Sequence, residues 1–269
     1  MAPSRRVRTV EPMRSPSSLP VAAGVVVGVD GRAEGADALA LAARLASVVD
    51  ARLHVVAAYP YAPLSARLLD GPTDARAARA VLAASRRELG AREAQLVAVA
   101  GSSPGRTLHE VAEACRAGLL VVGSSHHGPA GRLVLGSVTA ETLRRAPCAV
   151  AVAPRGWAAG ARSLARIGVA LDGSERDAAA IATATAVGRR LQPPAAVETV
   201  HVAAAPGQGV EADVTLDGDV VDALARHSSR LDLLVMGSRG LGRIGSVVLG
   251  SVAARLVGLA RCPVLVLPA

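Results

Sequence analysis

The 269-residue chain contains no Phe, no Lys and no Asn, and only one Trp and two Tyr. Without aromatics, an apolar interior must be assembled from Ala, Val and Leu, small side chains that suit close packing of helices on a sheet. Stacking platforms for single-stranded nucleic acid need aromatic faces, so their scarcity argues against that class of partner. The absence of Lys makes all 30 basic residues Arg, which against 22 acids gives a formal charge of +8. No basic helical stripe accompanies this charge, and codon bias accounts for it better than a surface built for polyanions. It also removes a P-loop, which requires G-K-[ST]. The three cysteines, Cys115, Cys148 and Cys262, are odd in number, widely spaced and free of C-x-x-C. That argues against a disulfide framework or zinc site and suggests a reducing, cytoplasmic compartment. No apolar run reaches the roughly 18 residues of a membrane-spanning helix. The opening residues 1–23 carry Arg5, Arg6, Arg8 and Arg14 without an apolar h-region, so they read as a disordered basic tail.

What the chain does contain is a repeat. GSSHHGPAGRLVLGS (123–137) and GSRGLGRIGSVVLGS (237–251) match at an offset of 114, which aligns Gly123 with Gly237, Gly128 with Gly242 and Gly131 with Gly245. Gly136-Ser137 likewise matches Gly250-Ser251, and the offset continues to Cys148 and Cys262. Further upstream, VVVGVDGRAEGADALALAARLA (25–46) parallels IGVALDGSERDAAAIATATAVG (167–188), with Asp30 on Asp172 at an offset of 142. Two homologous domains follow, 24–154 and 166–269, joined by a linker at 155–165 that holds Trp157. Short apolar runs alternating with helical patterns predict an α/β fold in which a buried, mainly parallel sheet is flanked by helices.

The second copy is shorter in its middle. The first has strands near 53–58 and 96–100 with a helix at 74–89 between them, whereas only about five residues separate candidate strands 197–203 and 211–216. A parallel crossover needs roughly a dozen or more residues. The segment 211–216 is therefore expected to form an antiparallel hairpin or to leave the sheet.

Gly240, Gly242 and Gly245 spell G-x-G-x-x-G, but a dinucleotide fingerprint follows the first strand of its unit and has an acid about 20 residues on. This one follows the fourth strand, and CPVLVLP offers no acid. The longer spacing G-x-x-G-(nine residues)-G-S, at Gly237, Gly240, Gly250 and Ser251, is more informative. Strand, glycine loop and helix start can converge backbone N–H groups on an anion. Arg239 and Arg243 add positive charge, and the Ser251 hydroxyl is placed to cap its helix or to meet a phosphate oxygen. His54, His109, His201 and His227 sit in strand-like or helical runs and read as structural. Cys148 and Cys262 read as buried small apolar groups, and Asp213, Asp217, Asp219 and Asp222 as flanking a turn and a helix start.

The D-G turn after the first strand, the long glycine motif and the closing RCPVLV strand together resemble the universal stress protein family in its tandem form, over about 24–154 and 166–268. The resemblance implies a Rossmann-like, five-stranded parallel sheet in each domain and, in one branch of the family, an ATP site. The matching positions are Asp172, Val202, Met236, Gly237, Gly240, Gly250, Ser251 and Val252 in the second half. In the first half they are Asp30, Ala58, Gly123, Gly136 and Ser137.

The first half departs from the pattern at His126, which stands where the second glycine belongs. Its imidazole either obstructs the phosphates or donates to them, and with His127 near Arg132 it would make binding pH-dependent. No acid or cysteine near this pair suggests a metal site. The second half is thus expected to be the better ATP site, with Mg2+ as an optional companion. No general base or metal carboxylate stands out beside the loop, so hydrolysis is expected to be slow at most. The family also pairs last strands across a two-fold axis, which here would join 148–153 to 262–267 as an internal pseudo-dimer and leaves a homodimer open. The implied function is nucleotide-controlled stress response or signalling through an unspecified protein partner. An interaction module of the same fold that works without nucleotide is the alternative, and an adenylating enzyme lacks any further motif.

Overall fold

Runs such as VVVG, LLVVG and LLVMG are apolar at successive positions, as a strand must be when helices cover both faces of its sheet. A computed structural model describes residues 24–60, 73–124, 136–160, 164–203, 210–238 and 250–268. The first half runs β1 (Val25–Gly28), α1 (Ala33–Val48), β2 (Leu53–Pro60), α2 (Thr73–Leu89), β3 (Gln95–Gly101), α3 (Pro104–Ala114), β4 (Leu119–Gly123), α4 (Ser137–Leu143) and β5 (Ala149–Ala153). The second runs β6 (Arg166–Leu171), α5 (Asp177–Arg190), β7 (Ala196–Ala203), β8 (Val214–Asp217), α6 (Val220–His227), β9 (Leu233–Gly237), α7 (Ser251–Leu259) and β10 (Val264–Leu267).

Among the described residues ten strands form one sheet in the order β3-β2-β1-β4-β5-β10-β9-β6-β7-β8. Neighbours within each set of five are parallel. Among the described residues the only antiparallel pair is β5 with β10, in the register Val150↔Val266, Ala151↔Leu265 and Val152↔Val264. Alternation along the strands splits the interior into two layers. Val27, Val121, Ala151, Val235 and Leu265 face one layer, with α1, α2 and α5. Val26, Leu120, Val150, Leu234 and Val264 face the other, with α3, α4, α6 and α7. Cys148 and Cys262 are buried as expected. Among the described residues no helix is long and apolar enough to cross a membrane.

One expectation is overturned. The segment predicted at 211–216 neither turns antiparallel nor leaves the sheet: β8 lies parallel to β7, with Val200↔Val214, His201↔Thr215, Val202↔Leu216 and Ala203↔Asp217. The crossover argument assumes that the chain must travel back the full length of the strand. Here β8 pairs only with the last four residues of β7, so the return is about 10 Å at roughly 3.3 Å per residue. Residues 204–213 span that distance easily. Where the first half buries Val55 and Ala57 in this layer, β7 has the polar Thr199 and His201 at the equivalent register positions. Val210 and Ala212 pack against the interior on this side. Asp213 Oδ2 accepts from Thr199 N and Thr199 Oγ1, each at 2.8 Å. These bonds hold the Asp213 carboxyl below its ordinary pKa.

The segment after β5 is fastened to α1. Trp157 is 5% exposed, and the buried Asp37 of α1 accepts from Gly156 N at 2.8 Å and Ala158 N at 2.7 Å. Asp37→Ala should cost about 2–3 kcal/mol, because two charge-assisted bonds are lost; urea unfolding followed by the fluorescence of Trp157 measures this. Burial pushes the Cys148 thiol from its ordinary 9.0 up to about 12. The folded state therefore keeps a proton that the unfolded state gives up, so this contribution is full below about pH 9 and is lost as pH rises. Between neutral pH and about pH 10 the wild type should lose about 1.4 kcal/mol more stability than Cys148→Ala, measured by urea denaturation in reductant.

Candidate functional site

In the second half, β6 and β9 are neighbours, and the chain leaves them toward opposite sides of the sheet, β7 on one and β10 on the other. The carboxyl ends of strands at such a switch point form a crevice. Here it is lined by Leu171 and Asp172 after β6, Met236, Gly237 and Ser238 at the end of β9, Gly250, Val252 and Ala253 at the start of α7, and Val220 and Leu224 of α6. Its cavity volume is about 90 Å³.

The turn at Asp172-Gly173 is fixed by its own hydrogen bonds. Gly173 has φ 80°, a conformation that glycine adopts without strain. Asp177, the first residue of α5, accepts from Gly173 N at 2.8 Å and Asp172 N at 3.3 Å. Asp172 Oδ1 accepts from Ser174 N at 3.0 Å. Across the crevice, Arg176 Nη1 donates to the Ser238 carbonyl at 2.9 Å. The Ser238 side chain is buried, and its hydroxyl has no hydrogen-bond partner among the described residues. Gly250 occupies the cap position of α7 and makes Ser251 the first helical residue. Ser251 thus stands where the helix begins, as expected, and Gly250 at the cap position offers no side chain to the first-turn N–H groups.

Of the residues expected from sequence, Asp172, Met236, Gly237, Gly250 and Val252 thus line one crevice, and Ser251 stands between two of its lining residues. Val202 belongs to the adjoining apolar layer. Gly240 and His126 lie outside the described residues, as do His127, Arg132, Arg239 and Arg243. Sequence reading missed Arg176 and Ser238. Arg176 is aligned with Glu34 at the 142-residue offset, and that reversal of charge was the available signal. The histidines outside the glycine loops have structural partners: His109 donates to Thr142 O at 2.7 Å and His201 to Leu171 O at 3.2 Å. His227 meets Glu198 at 2.7 Å. Burial, followed by the charge of Arg52, holds the His54 imidazole below its ordinary pKa.

The model of the universal stress protein family matches residues 24–154 and 211–268. The chain belongs to this family. A protein of Thermus aquaticus named "Universal stress protein in QAH/OAS sulfhydrylase 3′region" is 40% identical over 84 residues, which are 30% of this chain and 59% of that protein. The crystal structure of a universal stress protein from Archaeoglobus fulgidus is similar over 92% of this chain and 98% of that chain, with a TM-score of 0.69 at 19% identity. A putative universal stress protein from Pseudomonas aeruginosa is similar over 91% and 93%, with a TM-score of 0.61 at 20% identity. At these identities the two structures share the fold.

The two halves treat the same motif glycine differently. A Cβ on Gly123 would overlap the Glu34 carbonyl, because α1 begins three residues after Asp30 whereas α5 begins five after Asp172. Thr139 Oγ1 also donates to Gly123 O at 2.7 Å, at the position where the second half has Ala253. Packing alone thus requires glycine at 123. A Cβ on Gly237 would meet, among the described residues, only Arg176 Cβ at 3.7 Å, an ordinary contact. Asp30 accepts from Arg32 N at 3.0 Å, Ala58 is half-buried on β2, and Gly136 and Ser137 begin the seven-residue α4. Gly123→Ala should cost about 1–3 kcal/mol through overpacking, whereas Gly237→Ala should change stability by less than about 1 kcal/mol. Urea unfolding midpoints of the two variants test the contrast.

Proposed function

We propose that the chain binds an adenine nucleotide, ATP, in the crevice of its second half, and that binding biases its conformation or its choice of protein partner in a stress or signalling response. The observation that carries this reading is Gly237. Neither its backbone angle nor its neighbours among the described residues demand a glycine there, and a bare Cα at the end of a strand lets backbone approach a phosphate closely. The unpartnered Ser238 hydroxyl and the uncapped start of α7 are chemically suited to the same anion. Asp172 would meet the nucleoside, and Gly240, Gly250 and Ser251 would wrap the phosphates. Among the described residues no group of three His, Cys, Asp or Glu could hold a metal ion, so Mg2+ would arrive as the nucleotide's own counter-ion. In the first half, Gly123 is occupied by packing, which favours a scaffolding or interaction role there.

Mass spectrometry of the purified chain should find bound adenine nucleotide. The pair Gly240→Val with Gly250→Val should lower ATP affinity by about tenfold or more in calorimetry; unchanged affinity would sink the reading.

A further inference from the structure

Among the described residues one cation, Arg176, lines the crevice, and its placement is specific. The lining includes two carboxylates, and both are turned to the backbone of their own turn: Asp177 to the N–H groups of Asp172 and Gly173, and Asp172 to that of Ser174. On the β9 side, the charged group that lines the crevice among the described residues is Arg176. The bond to the Ser238 carbonyl anchors its guanidinium beside Gly237, where no Cβ intervenes. That bond uses one of five guanidinium donors, and the others keep the planar fork that matches a phosphate. Ser238 lines the same space, and its buried hydroxyl has no partner among the described residues. In the first half the aligned residue is Glu34, whose backbone closes over Gly123. The change from acid to base at this position thus accompanies the opening of the crevice.

We infer that Arg176 reads the phosphate of the ligand and makes the second-half crevice selective for phosphorylated nucleotides over nucleosides. The inference rests on the nucleotide reading above and adds a residue that the glycine motif does not contain. The test titrates the full chain with ATP, adenosine and inorganic tripolyphosphate, comparing the wild type with Arg176→Gln, Arg176→Glu and Arg176→Lys. Arg176→Gln should weaken ATP and tripolyphosphate by about tenfold or more, the size of a lost charge-assisted bond, and adenosine by less than about twofold. Arg176→Glu should weaken the two phosphate ligands further, and Arg176→Lys should recover part of the loss. ATP affinity unchanged in Arg176→Gln, or equal losses for ATP and adenosine, would overturn this inference alone. A wild type that binds no ATP would overturn the nucleotide reading and this inference together.

Discussion

A strand made of AVAVA or VLVL has no polar side to turn to water, and at the edge of a sheet its open N–H and C=O groups would recruit other chains. β5 and β10 remove both liabilities by pairing with each other. The join also sets the geometry of the whole molecule. Strands within each half run parallel and the join is antiparallel, so the two sets of carboxyl ends point to opposite edges of one continuous sheet. The crevice after β6 and β9 and the first-half strand ends at β1 and β4 therefore lie at opposite edges of the sheet, and any influence of one on the other has to pass through the sheet and the two apolar layers that span it.

That separation lets the two copies diverge in place. In the first half, α1 starts early and its second residue, Glu34, settles on Gly123, while Thr139 pins α4 to the same glycine. In the second half, α5 starts later, Arg176 takes the position of Glu34, and Ala253 takes that of Thr139. A similar exchange occurs at the far side of each helix pair. Glu141 of α4 accepts from Gly105 N at the start of α3, whereas the aligned Arg255 of α7 pairs at 3.8 Å with Asp219, which caps α6 itself. Each pairing is kept by a different chemical route, so the helices stay docked while the polarity around the strand ends changes.

Much of this architecture was legible in the chain. Apolar runs and their spacing located the strands, the helix at 74–89 and the two closing strands, because burial on both faces leaves a strong mark on composition. The repeat identified the paired glycines. The position of β8 was not legible, because crossover length depends on how far the chain must return, and that depends on register. Ser251 does begin its helix, and with Gly250 at the cap position the second of the two expected roles for its hydroxyl is the one left open. Arg176 escaped notice because its charge reversal against Glu34 gains a meaning only once the carbonyl it binds is known.

Gly123 and Gly237 align and sit at the ends of equivalent strands, yet they are glycine for different physical reasons. One is held by a neighbouring backbone that any Cβ would strike, and the other would bring a Cβ, among the described residues, only into ordinary contact with Arg176. Sequence alignment merges these cases, since both satisfy the same motif. The distinction lies in what a methyl group would meet. A glycine demanded by packing says nothing about ligands. A strand-end glycine that packing does not demand forgoes side-chain contacts and conformational stability that alanine would supply. Its retention beside a cation and an unpartnered hydroxyl is what gives the second-half crevice, rather than the motif itself, the stronger claim to a phosphate.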